Sequence, residues 1–214
     1  MEGFVVVPLM IILVVVGIIW TRASEQKRSD ELTLFFERLS LAKVGRDDIP
    51  KFEITSRGGS KKRFNNFQGE AFGLELCFFD YEYTVGGVDD DDTYTSTVGM
   101  TSAELPVFQL SKEGLFDRIA DVFTGSDIDF TDHEQFSNRY VLKGCDEHAV
   151  RKLFMPEVLD FFIRIESYFY RRCYVESNGK ELLFCFADER MEPENMDRFV
   201  FLARDCFKLF GCGA

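Results

Sequence analysis

The sequence predicts an α+β protein: a single N-terminal transmembrane helix followed by a soluble domain of antiparallel hairpins packed with amphipathic helices. Three observations lead to this prediction. Residues 4–20 are apolar throughout. Several later segments alternate apolar and polar side chains around turn residues, which is typical of strands in hairpins. Other segments repeat apolar residues with the spacing of a helix that buries one face.

The apolar run reads FVVVPLMIILVVVGIIW, from Phe4 to Trp20. At about 1.5 Å per residue its seventeen residues span roughly 26 Å as a helix, close to the minimum for a bilayer core of about 30 Å. Pro8 falls in the first turns, where its missing N–H disturbs few bonds, and Trp20 lies at the far end, where an indole favours the interface. We expect a retained anchor. A cleaved signal peptide and a buried core helix are the alternatives.

The charges that flank this run predict its orientation. No Lys or Arg precedes it, whereas Arg22, Lys27 and Arg28 follow it. Because Lys and Arg favour the cytoplasmic side, we expect a single-pass protein of the cell (inner) membrane, with its N-terminus outside and its C-terminal domain in the cytoplasm. The predicted parts are an anchor at 1–21, a juxtamembrane amphipathic helix at 22–45 and a cytoplasmic α+β domain at 46–214.

Charge is unevenly distributed along the rest of the chain. Residues 22–63 carry eleven Lys/Arg against seven Asp/Glu, a net of +4, and residues 64–214 carry fourteen against twenty-nine, a net of −15. The basic part suits the surface of an anionic bilayer. The acidic body argues against a nucleic-acid partner, which needs a basic patch. The predicted partner is therefore the lipid bilayer, contacted through residues 4–20.

The abundant aromatic and cysteine residues predict a packed interior in a reducing compartment. The chain has 24 Phe and six Cys, and the cysteines lack the short paired spacing of a zinc or redox motif. No cofactor is predicted. An aromatic core is the simpler interpretation, and a Phe-lined pocket for a lipid or other apolar ligand is the alternative.

In the first half, residues 30–43 predict a helix with one apolar stripe, ended by Gly45. This helix would pack on the domain, or bind a protein partner or a second copy. We also expect a short strand at 52–54, a basic turn at 57–63, and a long hairpin from strand 72–85 to strand 93–100, with a bulge near 78–79 where the apolar phase shifts. The four aspartates at its tip, 89–92, favour a solvated turn over a cation site.

In the second half the pattern alternates between strands and helices. The predicted elements, in order, are a strand at 105–110, a helix capped by Ser111 and stopped by Gly125, a short helix with Thr131 and Glu134 as a capping box, a strand at 139–143, helices at 146–154 and 156–166, strands at 168–176 and 182–187 joined at Asn178-Gly179, and a last helix opened by Pro193.

The candidate chemistry is confined to one acidic segment. Asp127, Asp129 and His133 have the residue types of a metal site or an acid–base pair. Against this, the alternating Ile128 and Phe130 favour an extended segment whose acidic side chains face water.

Several short segments form a familiar set, in the order 79–84 (FDYEYT), 105–110 (LPxFxL), 127–130 (DIDF), 136–144 (FSxRYxLxG) and 150–154 (VRxLF). Together they resemble an uncharacterised family of bacterial membrane-anchored proteins. The resemblance covers roughly residues 32–210. It implies one or two N-terminal spans before a cytoplasmic α+β domain, and it implies no activity.

These observations favour a membrane-anchored cytoplasmic interaction or sensory module, and enzymatic activity stays open. The sequence lacks a nucleophile elbow and a glycine-rich phosphate loop, and it has only two histidines. The alternatives are a carboxylate- or metal-dependent hydrolase that uses Asp127, Asp129 and His133, or a protein that binds a lipid or other apolar ligand.

Overall fold

A computed structural model describes residues 3–45, 48–56, 58–86, 91–112, 127–168 and 172–213. These residues form an α+β fold built on an eight-stranded sheet of order β1-β2-β3-β4-β8-β7-β5-β6, and every neighbouring pair is antiparallel. The strands are β1 (Ala42–Lys43), β2 (Lys61–Ala71), β3 (Leu74–Gly86), β4 (Asp91–Ser102), β5 (Phe108–Lys112), β6 (Tyr140–Gly144), β7 (Cys173–Ser177) and β8 (Glu181–Phe186).

Helices of very different lengths accompany the sheet. They are α1 (Gly3–Arg38), α2 (Glu53–Ser56), α3 (Glu134–Ser137), α4 (Glu147–Leu153), α5 (Pro156–Tyr168) and α6 (Met196–Leu209), with 3-10 turns at Thr131–His133 and Pro193–Asn195.

The two faces of the sheet carry separate cores. The larger core lies on the face covered by the second half of α1 together with α4, α5 and α6, and Phe36, Phe162 and Phe199 belong to it. The smaller core lies on the opposite face, where α2 brings Phe52 and Ile54 to the sheet. Most of the abundant Phe residues are in ring contact within the larger core, as the aromatic-core interpretation expects.

The first helix is one continuous element, with no break between the apolar run and the residues that follow it. The helix start predicted near residue 30 is wrong, since α1 runs from Gly3 to Arg38. Its end also differs from the prediction: Ser40, at φ 65°, turns the chain, and Leu41 N donates to Phe36 O. A side chain at Gly69 would collide with Ser40 O, so this glycine permits the close approach of the turn to β2.

Within the residues that the structure describes, no helix is both long enough and apolar enough to cross a membrane.

The apolar stripe predicted for residues 30–43 packs on the domain itself. Leu32 and Phe36 are each 1% exposed, and Phe35 and Leu39 are partly buried against the same core. The Phe36 ring stacks on Phe67 at 4.5 Å between centroids. This stripe is therefore covered by the protein's own sheet.

The hairpins and the later helices are confirmed. β3 pairs with β4, and β7 pairs with β8 around Asn178 and Gly179, whose φ is +93°. Asn178 Oδ1 accepts from the N–H groups of residues 180 and 181, which is why the dipeptide suits this turn. α4, α5 and α6 lie where the sequence predicts them, and Asp146 caps α4 through Ala149 N.

The predicted bulge lies on the other strand. Phe64 is opposite Asp80 and Phe67 is opposite Phe78, so the extra residue is in β2. The register of β3 on β4 is unbroken. Apolar residues change phase in β3 because its two faces contact two different cores, so one strand needs no distortion to bury both sets.

Five local predictions are wrong or fall outside the described residues. Residues 53–56 form the helical turn α2 instead of a strand, and Lys61 to Arg63 are in β2 instead of a turn. The 3-10 turn at Thr131–His133 has no side-chain cap, so Thr131 and Glu134 form no capping box. Ser111, predicted to cap a helix, is a residue of strand β5. Residues 113–126, where the rest of that helix was expected, and 87–90 at the aspartate tip lie outside the described residues.

All six cysteines are free, and five of them are buried. Burial raises the pKa of the Cys173 and Cys206 thiols, and it raises that of Cys212 to about 11. These thiols are core residues, as the apolar runs around them predict.

Candidate functional site

An open cleft lies where α1 passes over the edge of β2 and β3. We call it the junction cleft, and its volume is about 640 Å³. Its charged lining residues are Arg22, Glu25, Lys62, Glu82 and Arg190, and its neutral ones are Thr21, Gln26, Phe64 and Asn65. Among these described lining residues none is Ser, Cys or His, so the cleft offers charge and hydrogen bonds.

Asp80 is the buried carboxylate beneath this cleft. It follows Leu76 and Phe78 on the helix-covered face of β3, and it is 1% exposed. Arg28 Nη1 donates to it at 2.5 Å, Thr97 Oγ1 at 2.8 Å and Asn65 Nδ2 at 2.9 Å. Asn65 reaches it from the β2 bulge, where its φ is 50°. The bulge therefore supplies one of the hydrogen-bond donors to the Asp80 carboxylate.

Arg28 connects α1 to the sheet and to the segment before α6. Besides Asp80, its second terminal nitrogen donates to Met191 O at 2.6 Å. Arg28 is 7% exposed, and its Nε has no partner among the described residues. A buried guanidinium in this position fixes the rotation of α1 over the sheet, because turning the helix would leave the buried charge of Arg28 without its carboxylate.

Arg190 extends the same network into the open cleft. Its Nε lies 3.5 Å from Asp80, and its two terminal nitrogens donate to the Glu25 carboxylate at 2.7 and 2.5 Å. The hydrogen bond from Arg190 lowers the pKa of Glu25, and that same bond raises the pKa of Arg190. The pair is bidentate, the strongest geometry for such a contact.

The ring of Phe64 contacts two cations of the cleft lining. Lys62 Nζ lies 4.9 Å from the Phe64 ring centroid, and the Arg190 guanidinium lies 5.3 Å from it. The two charges are thus within about 10 Å of each other. Among the described residues, neither Arg22 nor Lys62 forms an ion pair with a carboxylate within 4.0 Å.

A second buried carboxyl lies on the opposite face of the sheet. Glu176 in β7 is 4% exposed and accepts from Tyr174 Oη at 2.6 Å and from Glu53 N at 2.8 Å. Tyr174 in turn accepts from Gln109 Nε2 at 2.6 Å. Burial without a cation raises the pKa of Glu176 to about 7. This carboxyl caps α2, so it ties the segment before β2 to the sheet.

The three acid–base candidates are not brought together. Asp127 is exposed and lies 4.0 Å from Lys143, while the side chain of Asp129 is also exposed. His133 lines a separate cleft of about 260 Å³ beside Arg151. Over the described ranges no three His, Cys, Asp or Glu residues form a group that could bind a metal ion.

The predicted anchor residues belong to the first turns of α1 and to its midpoint. Phe4 and Pro8 are part of the helical backbone, and Trp20 is 75% exposed. The described side chains between residues 10 and 20 are exposed as well. The cleft begins one residue after this apolar run, at Thr21.

The chain matches no family model and no curated protein. Its fold is similar to that of a solved transport factor. The structure is the crystal structure of the mycobacterial trehalose monomycolate transport factor A, TtfA, with a TM-score of 0.55 and 13% sequence identity. The similarity covers 86% of this chain and 94% of TtfA. At this identity the likeness is one of fold alone.

Sequence reasoning missed Asp80, Arg28 and Arg190. One signal was present: Asp80 continues the alternation of Leu74, Leu76 and Phe78 in the most apolar strand. A charged residue in phase with a buried face needs a partner of opposite charge. That partner lies 52 residues away, and no local pattern identifies it.

Proposed function

We propose that this protein is a membrane-anchored cytoplasmic module that acts by binding a partner at the bilayer surface, and not by catalysis. Residues 4–20 are the span, the N-terminus is outside, and the sheet with its helices is in the cytoplasm. The support from sequence is the length of the apolar run and the Lys and Arg residues that follow it. Membership in the uncharacterised anchored family is part of the same proposal.

The observation that carries this proposal is the continuity of α1. Between residues 10 and 20 its described side chains are exposed, and its second half buries Arg28, Leu32 and Phe36 in the domain. A continuous helix advances about 1.5 Å and turns about 100° with each residue, so a domain docked on its second half has a defined distance and orientation relative to the first half. Such an arrangement suits a protein that presents one surface at a constant height above a membrane.

Two further points support a binding role. The junction cleft presents cationic, acidic and amide side chains that are open to solvent, and such groups are suited to binding a polar or charged ligand. TtfA is described as a transport factor, and a transport-related binding role for the present chain agrees with that description.

The alternatives have weaker support. A carboxylate- or metal-dependent hydrolase needs the side chains of Asp127, Asp129 and His133 to converge, and they lie apart. An apolar-ligand protein needs a cavity between sheet and helices, whereas rings such as Phe154 and Phe162 are in mutual contact there.

Carbonate extraction of bacterial membranes tests the proposal. We expect the full chain in the washed membrane pellet, and a C-terminal reporter on the cytoplasmic side. Replacing Ile12 and Val14 by Arg together should release the chain, because both lie near the middle of residues 4–20, where each Arg costs about 2.5–3.5 kcal/mol. Leu34→Arg is the matched control: Leu34 is an exposed apolar residue of the same helix outside the run. A full chain in the carbonate supernatant, or a reporter active outside the cell, would overturn the proposal.

A further inference from the structure

We propose that the junction cleft binds the phosphate of an anionic phospholipid headgroup, with Arg22, Lys62 and Arg190 as the recognising cations. This inference rests on the membrane anchoring proposed above, and it names the ligand of the cleft.

The position of the cleft along α1 selects a lipid. Its helical lining residues, from Thr21 to Gln26, follow Trp20 in one unbroken helix. At about 1.5 Å per residue they lie roughly 1.5–9 Å beyond the apolar run. The headgroup layer occupies about 5–7 Å on each side of the hydrocarbon core. A helix that spans the core with residues 4–20 therefore holds the cleft at the depth of the phosphates.

The charges of the cleft favour an anion. Three cations oppose two carboxylates in its lining. Phe64 keeps Lys62 and Arg190 near each other through contacts to one ring. A phosphate carries at least one negative charge and several acceptor oxygens, so it can accept charge-assisted hydrogen bonds from more than one cation of this lining.

Arg190 has one exchangeable partner and one permanent partner. The Glu25 side chain is 49% exposed, whereas that of Asp80 is 2% exposed and has three other donors. An arriving phosphate can replace Glu25 at the outer edge of the guanidinium, while the contact of Nε with Asp80 keeps Arg190 in position. Glu25 then rotates into water without leaving a buried charge unpaired.

The cleft also has the size for a headgroup. Its volume of about 640 Å³ falls within the range of roughly 300–1,000 Å³ that small-molecule sites occupy. Gln26, Asn65 and Glu82 add hydrogen-bonding groups beyond the cations. These groups suit the hydroxyls of a glycerol headgroup, such as that of phosphatidylglycerol.

Native mass spectrometry of the full chain in non-ionic detergent tests this inference. The probes are short-chain phosphatidylglycerol, short-chain phosphatidylcholine and inorganic phosphate. We expect one phosphatidylglycerol to bind about tenfold more tightly than phosphatidylcholine, and inorganic phosphate to compete only weakly because it lacks the glycerol hydroxyls. Arg22→Gln and Lys62→Gln should each reduce the phosphatidylglycerol affinity about tenfold, the usual size of a charge-assisted contact.

Lys27→Gln is the matched control, because Lys27 is a 78% exposed cation of the same helix outside the cleft. Its phosphatidylglycerol affinity should stay within about twofold of the unmodified chain. Equal losses in all three variants would overturn the inference in favour of diffuse surface charge. Competition by inorganic phosphate as strong as that by the lipid would also overturn it, in favour of a free-phosphate site.

The failure of this inference and that of the proposed function are distinguishable. Binding in detergent does not depend on the location of the chain in the cell. An anchored chain with no headgroup preference contradicts this inference alone. A chain that binds phosphatidylglycerol in detergent but is extracted by carbonate contradicts the proposed function, and with it the lipid as the natural source of the phosphate.

Discussion

Asp80 and Glu176 are two buried carboxyl groups on opposite faces of one sheet, and they are stabilised in different ways. Asp80 lies on the α1 face with two guanidinium groups within 3.5 Å. Glu176 lies on the α2 face, where its donors are a phenol and backbone N–H groups. One site is an ion-pair network, and the other is a hydrogen-bonded carboxyl whose pKa burial raises to about 7.

The difference shows which element each carboxyl group attaches to the sheet. Asp80 binds the helix that leads to the apolar run, and its arginines make that attachment specific to one rotation of the helix. Glu176 binds a short turn through the backbone of α2, which places no requirement on side chains there. Glu176 has no cation beside it, and burial raises its pKa to about 7, so its contribution to stability depends on pH.

Removing Asp80 should have the largest effect on stability. Asp80→Ala leaves Arg28 buried beside no carboxylate, and breaking a buried ion pair in this way costs about 3–5 kcal/mol. Urea denaturation of the full chain in detergent measures the free energy of unfolding. Glu75→Ala, at an exposed position of the same strand, should change it by less than about 1 kcal/mol. Equal losses for the two variants would contradict the importance of the ion pair.

Glu176→Gln should change how stability depends on pH. The folded-state pKa of about 7 exceeds the ordinary value of 4.5, so the folded protein binds the proton more tightly than the unfolded one. The contribution of this group is therefore fully present below pH 4.5 and is lost as pH rises to about 7, by at most roughly 3 kcal/mol. The neighbouring Glu53 adds to the rise in pKa.

The measurement is the difference in unfolding free energy between Glu176→Gln and the unmodified chain at several pH values from 4.5 to 8. We expect the unmodified chain to lose stability relative to the variant as the pH increases across this range. A difference that stays constant with pH would show that Glu176 titrates alike in the folded and unfolded chain.

Tyr174→Phe should have a smaller effect at the same site. It removes the hydroxyl between Gln109 and Glu176, and leaving buried polar groups unpaired costs about 1–3 kcal/mol. Because the Tyr174 hydrogen bond lowers the pKa of Glu176, the variant should also move the pH transition upward. Tyr94→Phe is the control, since that hydroxyl makes only an exposed contact of 3.5 Å. A Tyr174→Phe chain with unchanged stability and pH transition would contradict the hydrogen-bond chain.

Glu25→Gln should have the smallest effect on stability. The Glu25–Arg190 pair is bidentate but half exposed, and exposed pairs contribute about 0–1 kcal/mol. The thermal midpoint of the full chain should shift little. A loss comparable to that of Asp80→Ala would mean that Arg190 depends on Glu25 and not on Asp80 for its position.

The sequence predicts the elements whose signals are local. The turn at Asn178 and Gly179, the helix predicted over 146–154 and the helix that begins at Pro156 depend on neighbouring residues only, and all three are observed. The long hairpin of β3 and β4 follows from the β-branched and aromatic residues of both strands.

The remaining features depend on distant contacts. Ser29 and Asp30 have the residue types of a helix start, yet the helix continues through them because Arg28 and Leu32 are fixed by the domain on either side. Residues 53–56 form a helical turn because Glu176, 123 residues away, accepts from its first N–H groups. The candidate site has the same origin, since Asp80, Arg28 and Arg190 meet only in the folded chain.

Because helix α1 is unbroken, the number of residues between Trp20 and Arg28 determines where the sheet lies relative to the apolar run. A helix turns by about 100° and advances about 1.5 Å with each residue. One inserted residue would rotate the whole sheet by about 100° around the helix axis, so the cleft would face a different direction. Seven inserted residues, about two turns, would nearly restore the original direction of the cleft and move the sheet about 10 Å further from the apolar run. The length of this connection therefore determines two quantities, the rotation of the sheet about the helix axis and its distance from the apolar run.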